Sequence, residues 1–100
     1  MKEEYIERIN SVFAYIEDNL QGDLSLKTIS EIAFYSPFHL HRLFKAITNE
    51  TLNSYIIRKR IERAAMDLIH KKELPISEIA IQNGFTSNSS FTRSFNNFYG

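Results

Sequence analysis

No cysteine occurs in the sequence, so a disulfide framework, a thiolate metal site and a thiol nucleophile are excluded at the outset. No apolar run reaches ~18 residues and no signal-peptide pattern is present, which reads as a soluble, cytoplasmic chain. Absent too are a phosphate-binding glycine loop, a nucleophile elbow and a zinc-protease signature. Serine, histidine and carboxylate groups do not converge on any reading of the helices, so the expectation is a non-enzyme with neither cofactor nor metal. Proline and glycine are scarce, at two and three residues. Those few act as punctuation: Pro37 and Pro75 stand where helices start, and Gly22, Gly84 and Gly100 where they end. Net charge is also missing, with 12 basic side chains against 12 acidic ones.

That balance hides a segregation along the chain. Residues 1–31 carry seven acidic and three basic side chains, residues 32–72 three and eight, and residues 73–100 two and one. The middle is cationic. One hundred residues make one compact domain that buries a little over ~60% of its unfolded surface, and eight Phe and five Tyr help to fill so small a core.

The stretch 36–47 sorts its residues cleanly onto two faces. Ser36 is a good N-cap and Pro37 suits the first helical position. Leu40, Leu43, Phe44 and Ile47 recur with the spacing of one buried helical face, while Phe38, His41, Arg42 and Lys45 repeat that spacing on the other side. An outward stripe of one aromatic followed by His, Arg and Lys is built to touch something anionic.

The rest of the chain frames this helix. From Tyr5 to Leu20 an amphipathic helix turns Ile6, Ile9, Val12, Phe13 and Ile16 inward. Its outer face is acidic, which is either solvated surface or a contact with another domain. Ser25 caps a short helix carrying Leu26, Ile29 and Ala33 inward, and Phe34-Tyr35 makes the turn to Ser36, the size of a helix-turn-helix. Asn49 suits a left-handed C-terminal residue. Thr51 then caps a helix running to about Lys72, which spans about 30 Å at ~1.5 Å per residue. Ile76, Ile79 and Ala80 line another short helix, and a last one places Phe91, Phe95 and Phe98 inward.

The two ends repeat one another. Leu26, Ile29, Ser30 and Ser36 match Ile76, Ile79, Ala80 and Thr86 at an offset of fifty. After one inserted residue, Leu40, Arg42, Phe44, Ile47 and Asn49 match Phe91, Arg93, Phe95, Phe98 and Gly100 at fifty-one. The second outward stripe is Ser89, Thr92, Arg93 and Asn96, with Asn88 beside it, and it keeps an arginine where the first copy has one. Successive major grooves on one face of B-DNA lie about 34 Å apart, so two such units and a spacer of about 30 Å fit one turn of DNA. The cationic middle supplies phosphate attraction, while Arg suits guanine and Asn adenine.

Read together, Ser36-Pro37-Phe38-His39-Leu40-His41-Arg42-Leu43-Phe44-Lys45, Tyr55-Ile56 with Arg60-Ile61 and Ala64, Ile79-Ala80, Gly84-Phe85 and Phe91-Thr92-Arg93-Ser94-Phe95 resemble the DNA-binding domain of the AraC/XylS family of bacterial transcription regulators. The likeness implies an all-α fold of two homeodomain-like helix-turn-helix subdomains joined by a long linker helix. It places the first subdomain at about 24–48, the linker at about 51–72 and the second subdomain at about 75–99. It further implies that the third and sixth helices enter adjacent major-groove segments of a promoter. Base readers on matching positions are Phe38, His41 and Arg42 in the first unit and Asn88, Ser89 and Arg93 in the second. Ser36, Lys45, Arg58, Lys59, Thr92 and Asn96 are the backbone candidates. Double-stranded DNA and RNA polymerase are the implied partners, and the isolated domain is expected to be a monomer. The runs at 36–39 and 49–55 look most like members in which a small-molecule-binding domain follows C-terminally. Three positions depart from the family pattern. Phe34 replaces a commonly small turn residue, with packing the expected consequence. Asn96 stands where a lysine is usual, and the usual seventh helix is absent.

Other readings compete at single positions. His39 and His41, two residues apart on a helix, point about 200° apart, which suits no shared metal and makes His39 a scaffold histidine. Phe38 is a base reader or a core residue. Arg58-Lys59-Arg60 meets phosphate or forms a structural ion pair. The rival for the whole chain is a helical module that binds another protein through the same basic stripes.

Overall fold

The computed structural model describes residues 3–100. Six helices follow in order: α1 (Glu3–Asp18), α2 (Leu26–Ala33), α3 (Pro37–Thr48), α4 (Leu52–His70), α5 (Ile76–Gln82) and α6 (Asn88–Tyr99). The described residues form no strand. They divide into two compact units, one of the chain up to Asn19 with Asp23–Ile56, the other of Leu20–Gly22 with Ile57–Gly100.

In the first unit the apolar spacing of α1 buries Ile9, Val12 and Ile16, which join Ile29 and Ala33 of α2, Leu40 and Phe44 of α3, and Leu52, Tyr55 and Ile56 of α4 in its core. Three rings lock it, with Phe13, Phe44 and Tyr55 5.3–5.8 Å apart between centroids. The starts of α2, α3 and α4 are satisfied locally: Ser25 accepts from the Thr28 amide, Ser36 from His39 and Thr51 from Ser54. Such caps each contribute about 1 kcal/mol. The second unit packs Ile61, Ala64, Ile79, Ala80, Phe85 and Phe91 together, with Ile57, Leu68, Leu74 and Phe95 around them.

The repeat is visible at the level of single hydrogen bonds. Phe34 and Gly84, fifty residues apart, both adopt left-handed backbone, with φ of 59° and 89°. Behind them the Tyr35 amide donates to the Ser30 carbonyl and the Phe85 amide to the Ala80 carbonyl, both at 3.0 Å. This is the same glycine-type helix stop built twice. Register changes one residue earlier than the sequence alignment places it. The cap of α6 is Ser87, which accepts from the Ser90 amide, so Ser36 corresponds to Ser87 and Thr86 is the inserted residue.

Several boundaries differ from expectation. α1 is already helical at Glu3, and α4 ends at His70, giving 19 residues. Ile6, Ile47, Ile76 and Phe98, all expected inside, are exposed. Each lies in the first or last turn of its helix, and a core this small covers only the middle turns. Phe34 also departs from expectation. It is 81% exposed and packs little, so what its bulk costs is backbone strain at a positive φ.

Candidate nucleic-acid interface

Leu40 and Phe44, both fully buried, fix the rotation of α3. Phe38, His41, Arg42 and Lys45 are consequently exposed, as the periodicity requires. Phe38 is 70% exposed, which removes it from the core. Its ring lies 5.7 Å from the Arg42 guanidinium carbon, a cation–π distance. His39 sits on a different side and packs its ring on Tyr35 at 4.7 Å, the scaffold role. Among the described residues no group of three or more His, Asp or Glu is placed to hold a metal ion.

The start of α3 is also braced from α1. Arg8 lies 4.9 Å over the Tyr35 ring and donates to the Phe34 carbonyl at 3.4 Å, while Tyr5 stacks on Tyr35 at 6.2 Å. Sequence reasoning missed this brace because a cation that meets a carbonyl 26 positions away leaves no local pattern. Ser36 spends its oxygen on the His39 amide, and a hydroxyl that accepts can still donate to a phosphate.

Two surface hollows flank the stripe. One, of about 460 Å³, is bordered by Phe38, His39, Arg42, Leu43 and Ala46. The other, of about 420 Å³, brings His41 beside the starts of α2 and α4 at Ser25 and Thr51. The start of α2 already holds an anion. Asp23 accepts from the Ser25 amide at 3.0 Å and from the Thr28 hydroxyl at 2.8 Å. The amide first, then the hydroxyls, hold its carboxyl below the ordinary value of 3.8.

In the second unit Ser87 caps α6 and buried Phe91 sets its rotation, leaving Asn88, Ser89, Thr92, Arg93 and Asn96 all exposed. Arg93 is the one cation on this stripe. The basic run at 58–60 divides by role. Arg58 and Lys59 pair with Glu62 at 3.4 Å and 3.8 Å, so the ion-pair reading applies to both. Arg60 turns inward instead, donating to the Leu20 carbonyl at 2.8 Å and the Gly22 carbonyl at 3.0 Å. Burial pushes its guanidinium below the usual arginine range. That leaves it charged at neutral pH and tied into the scaffold.

Two capped helices of twelve residues, each preceded by a short helix and a tight turn and each showing a polar outer stripe, define a helix-turn-helix protein. The helix-turn-helix domain family matches residues 29–100. Multiple antibiotic resistance protein MarA of Escherichia coli is 40% identical over 91 residues, spanning 91% of this chain and 71% of its own. The probable transcriptional regulator LumQ of Photobacterium leiognathi is 37% identical over 100 residues, covering 98% of this chain and 40% of LumQ. A solved AraC-type transcriptional regulator from Chromobacterium violaceum superposes with a TM-score of 0.84 at 25% identity, over 93% of this chain and 82% of that one. The chain belongs to the AraC/XylS family, as an all-α DNA-binding transcription regulator.

Proposed function

We propose that the domain binds a promoter site by placing α3 and α6 in adjacent major-groove segments, with Phe38, His41 and Arg42 reading bases in one element and Asn88, Ser89 and Arg93 in the other. The observation that carries this reading is the repeated unit itself: each copy holds its second helix by a buried core and a serine cap, and turns an arginine outward at the same register. Ser36, Lys45, Thr92 and Asn96 meet the phosphodiester backbone. Arg58 and Lys59 meet the backbone as well, exchanging their ion pairs with Glu62 for phosphate.

Because the two stripes differ in chemistry, the site is asymmetric and the domain binds it as a monomer. In the cell the reading places it in the cytoplasm, at promoters beside RNA polymerase, with an effector-binding domain C-terminal to it. This last feature rests on the likeness at 36–39 and 49–55. Selection from random duplexes, followed by protection mapping, should return two protected patches about 10 base pairs apart. Inserting five base pairs between them should abolish specific binding. Undiminished affinity would sink the two-headed arrangement and leave a domain that reads with one helix or docks on protein.

A further inference from the structure

One chemical feature of the second unit lies outside the reading stripes. Asn83 is the one asparagine in the sequence that a glycine follows. An asparagine carboxamide is open to attack by the next residue's backbone nitrogen, and a following glycine leaves no side chain in the way of the imide ring. Gly84 is tied to its place: it stands at φ 89°, and a Cβ there would press on the Leu20 carbonyl oxygen. The fold restrains both reacting groups. Asn83 is 1% exposed, and its Nδ2 donates to the Asp67 Oδ2 and to the Ile79 carbonyl, both at 2.9 Å. The attacking nitrogen, the Gly84 amide, donates to the Ile81 carbonyl at 3.1 Å. Asn83 Oδ1, on which negative charge gathers during attack, is buried with no hydrogen-bond partner. That is the reverse of an oxyanion hole, since charge developing there is left unstabilised in a dry site.

We propose that Asn83 is a site of spontaneous modification, held off by the folded second unit and released when its helix-stop turn opens. In the opened turn, hydroxide takes the Gly84 amide proton, the nitrogen bonds to the Asn83 Cγ, and the Cγ–Nδ2 bond breaks with release of ammonia, which carries a proton from water. Water then opens the imide at one of its two carbonyls, giving aspartate or isoaspartate. Neither product refits the site. A carboxylate at 83 meets only acceptors where the amide donated, the Asp67 carboxylate and the Ile79 carbonyl. Lys71, 3.6 Å from Asp67, is then one cation for two anions. Isoaspartate also adds a carbon to the main chain just before the turn that leads into α6. Conversion therefore silences the second unit and spares the first, which has its own core. The chemistry stands by itself, whereas its effect on DNA rests on the two-element reading proposed above.

The full chain is incubated in mildly alkaline buffer with and without urea, and its peptides are followed by mass spectrometry for conversion of amide to acid. In urea Asn83 should convert ahead of every other asparagine. Folded, it should convert slower by about tenfold or more, the factor that an opening cost of ~1.4 kcal/mol gives. Asn83→Asp, which installs one product directly, should protect the first DNA element and lose the second. The proposal is overturned if another asparagine converts first in urea, if Asn83 converts as fast folded as unfolded, or if Asn83→Asp protects both elements or neither. Failure of the unmodified chain to protect two patches overturns the two-element reading and the effect on DNA with it, while the urea comparison still decides the chemistry.

Discussion

Arg42 and Arg93 occupy equivalent places in the two copies, so each should govern one element of the site and leave the other untouched. Arg42→Ala and Arg93→Ala are each expected to cost about 1–3 kcal/mol of specific binding and to relax base preference in one element only. A uniform loss on all sequences, measured by titration on a panel of duplexes, would make them phosphate contacts. Asp23 carries a pH dependence of stability. Its carboxyl is held below 3.8 in the folded protein by the Ser25 amide and the hydroxyls of Thr28 and Ser25. A depressed carboxylate stabilises the fold above its unfolded value and loses that contribution as pH falls through its folded value. Asp23→Asn should therefore destabilise at neutral pH, and the gap from wild type, followed by denaturant titration, should close as pH drops below 3.8. Outward residues were legible in the sequence because the buried ones define them by exclusion: once Leu40 and Phe44 are inside, Phe38, His41, Arg42 and Lys45 have one place to be. Arg8 and Arg60 were not legible. Both donate to backbone carbonyls far along the chain, and a carbonyl has no residue type to betray it.

Helix stops show the repeat most sharply, and they set up opposite outcomes at equivalent positions. At Phe34 a bulky residue bears a left-handed backbone that costs roughly 1–2 kcal/mol. Replacing it by glycine removes that strain and adds an unfolded-state entropy cost of about 0.5–1 kcal/mol. Phe34→Gly should thus stabilise by about 0.5–1 kcal/mol. At Gly84 the sign reverses. A Cβ there would press on the Leu20 carbonyl oxygen and stand 2.6 Å from the Arg60 Nε, in addition to the strain at φ 89°. Gly84→Ala should destabilise by about 2 kcal/mol or more. Thermal unfolding of the two variants checks both, and a shift in the same direction would refute the equivalence. The number and order of the helices were readable because apolar spacing and cap residues agree at the starts of α2, α3 and α4, where Ser25, Ser36 and Thr51 all cap. Helix ends were less readable. Spacing marks which face turns inward, but at Ile6, Ile47, Ile76 and Phe98 the core has run out of partners to cover that face.

Charge is a property of the whole molecule, and it is unequal between the reading stripes. Arg42 and Lys45 lie on the first, Arg93 alone on the second, where Asn96 is exposed one turn further on. Asn96→Lys should tighten binding to specific and scrambled duplexes alike and steepen the salt dependence by about 0.9 units, the effect of one more neutralised phosphate. Titration across a salt series decides it, and an unchanged slope would mean that position 96 does not face the backbone. The interleaving of the chain has a consequence for how the protein is made. Leu20 and Gly22 belong to the second unit through Arg60, yet Asp23–Ile56 returns to the first. During synthesis the first unit can close on its own once Ile56 has emerged, while the Leu20 and Gly22 carbonyls remain hydrated, awaiting an arginine 40 and 38 positions downstream. Closing that loop has an entropic cost that grows only slowly with its length, but it has to be met before the lock forms. The Arg60 lock therefore rests on a long-range contact, whereas α5 and α6 pack through neighbours close in sequence.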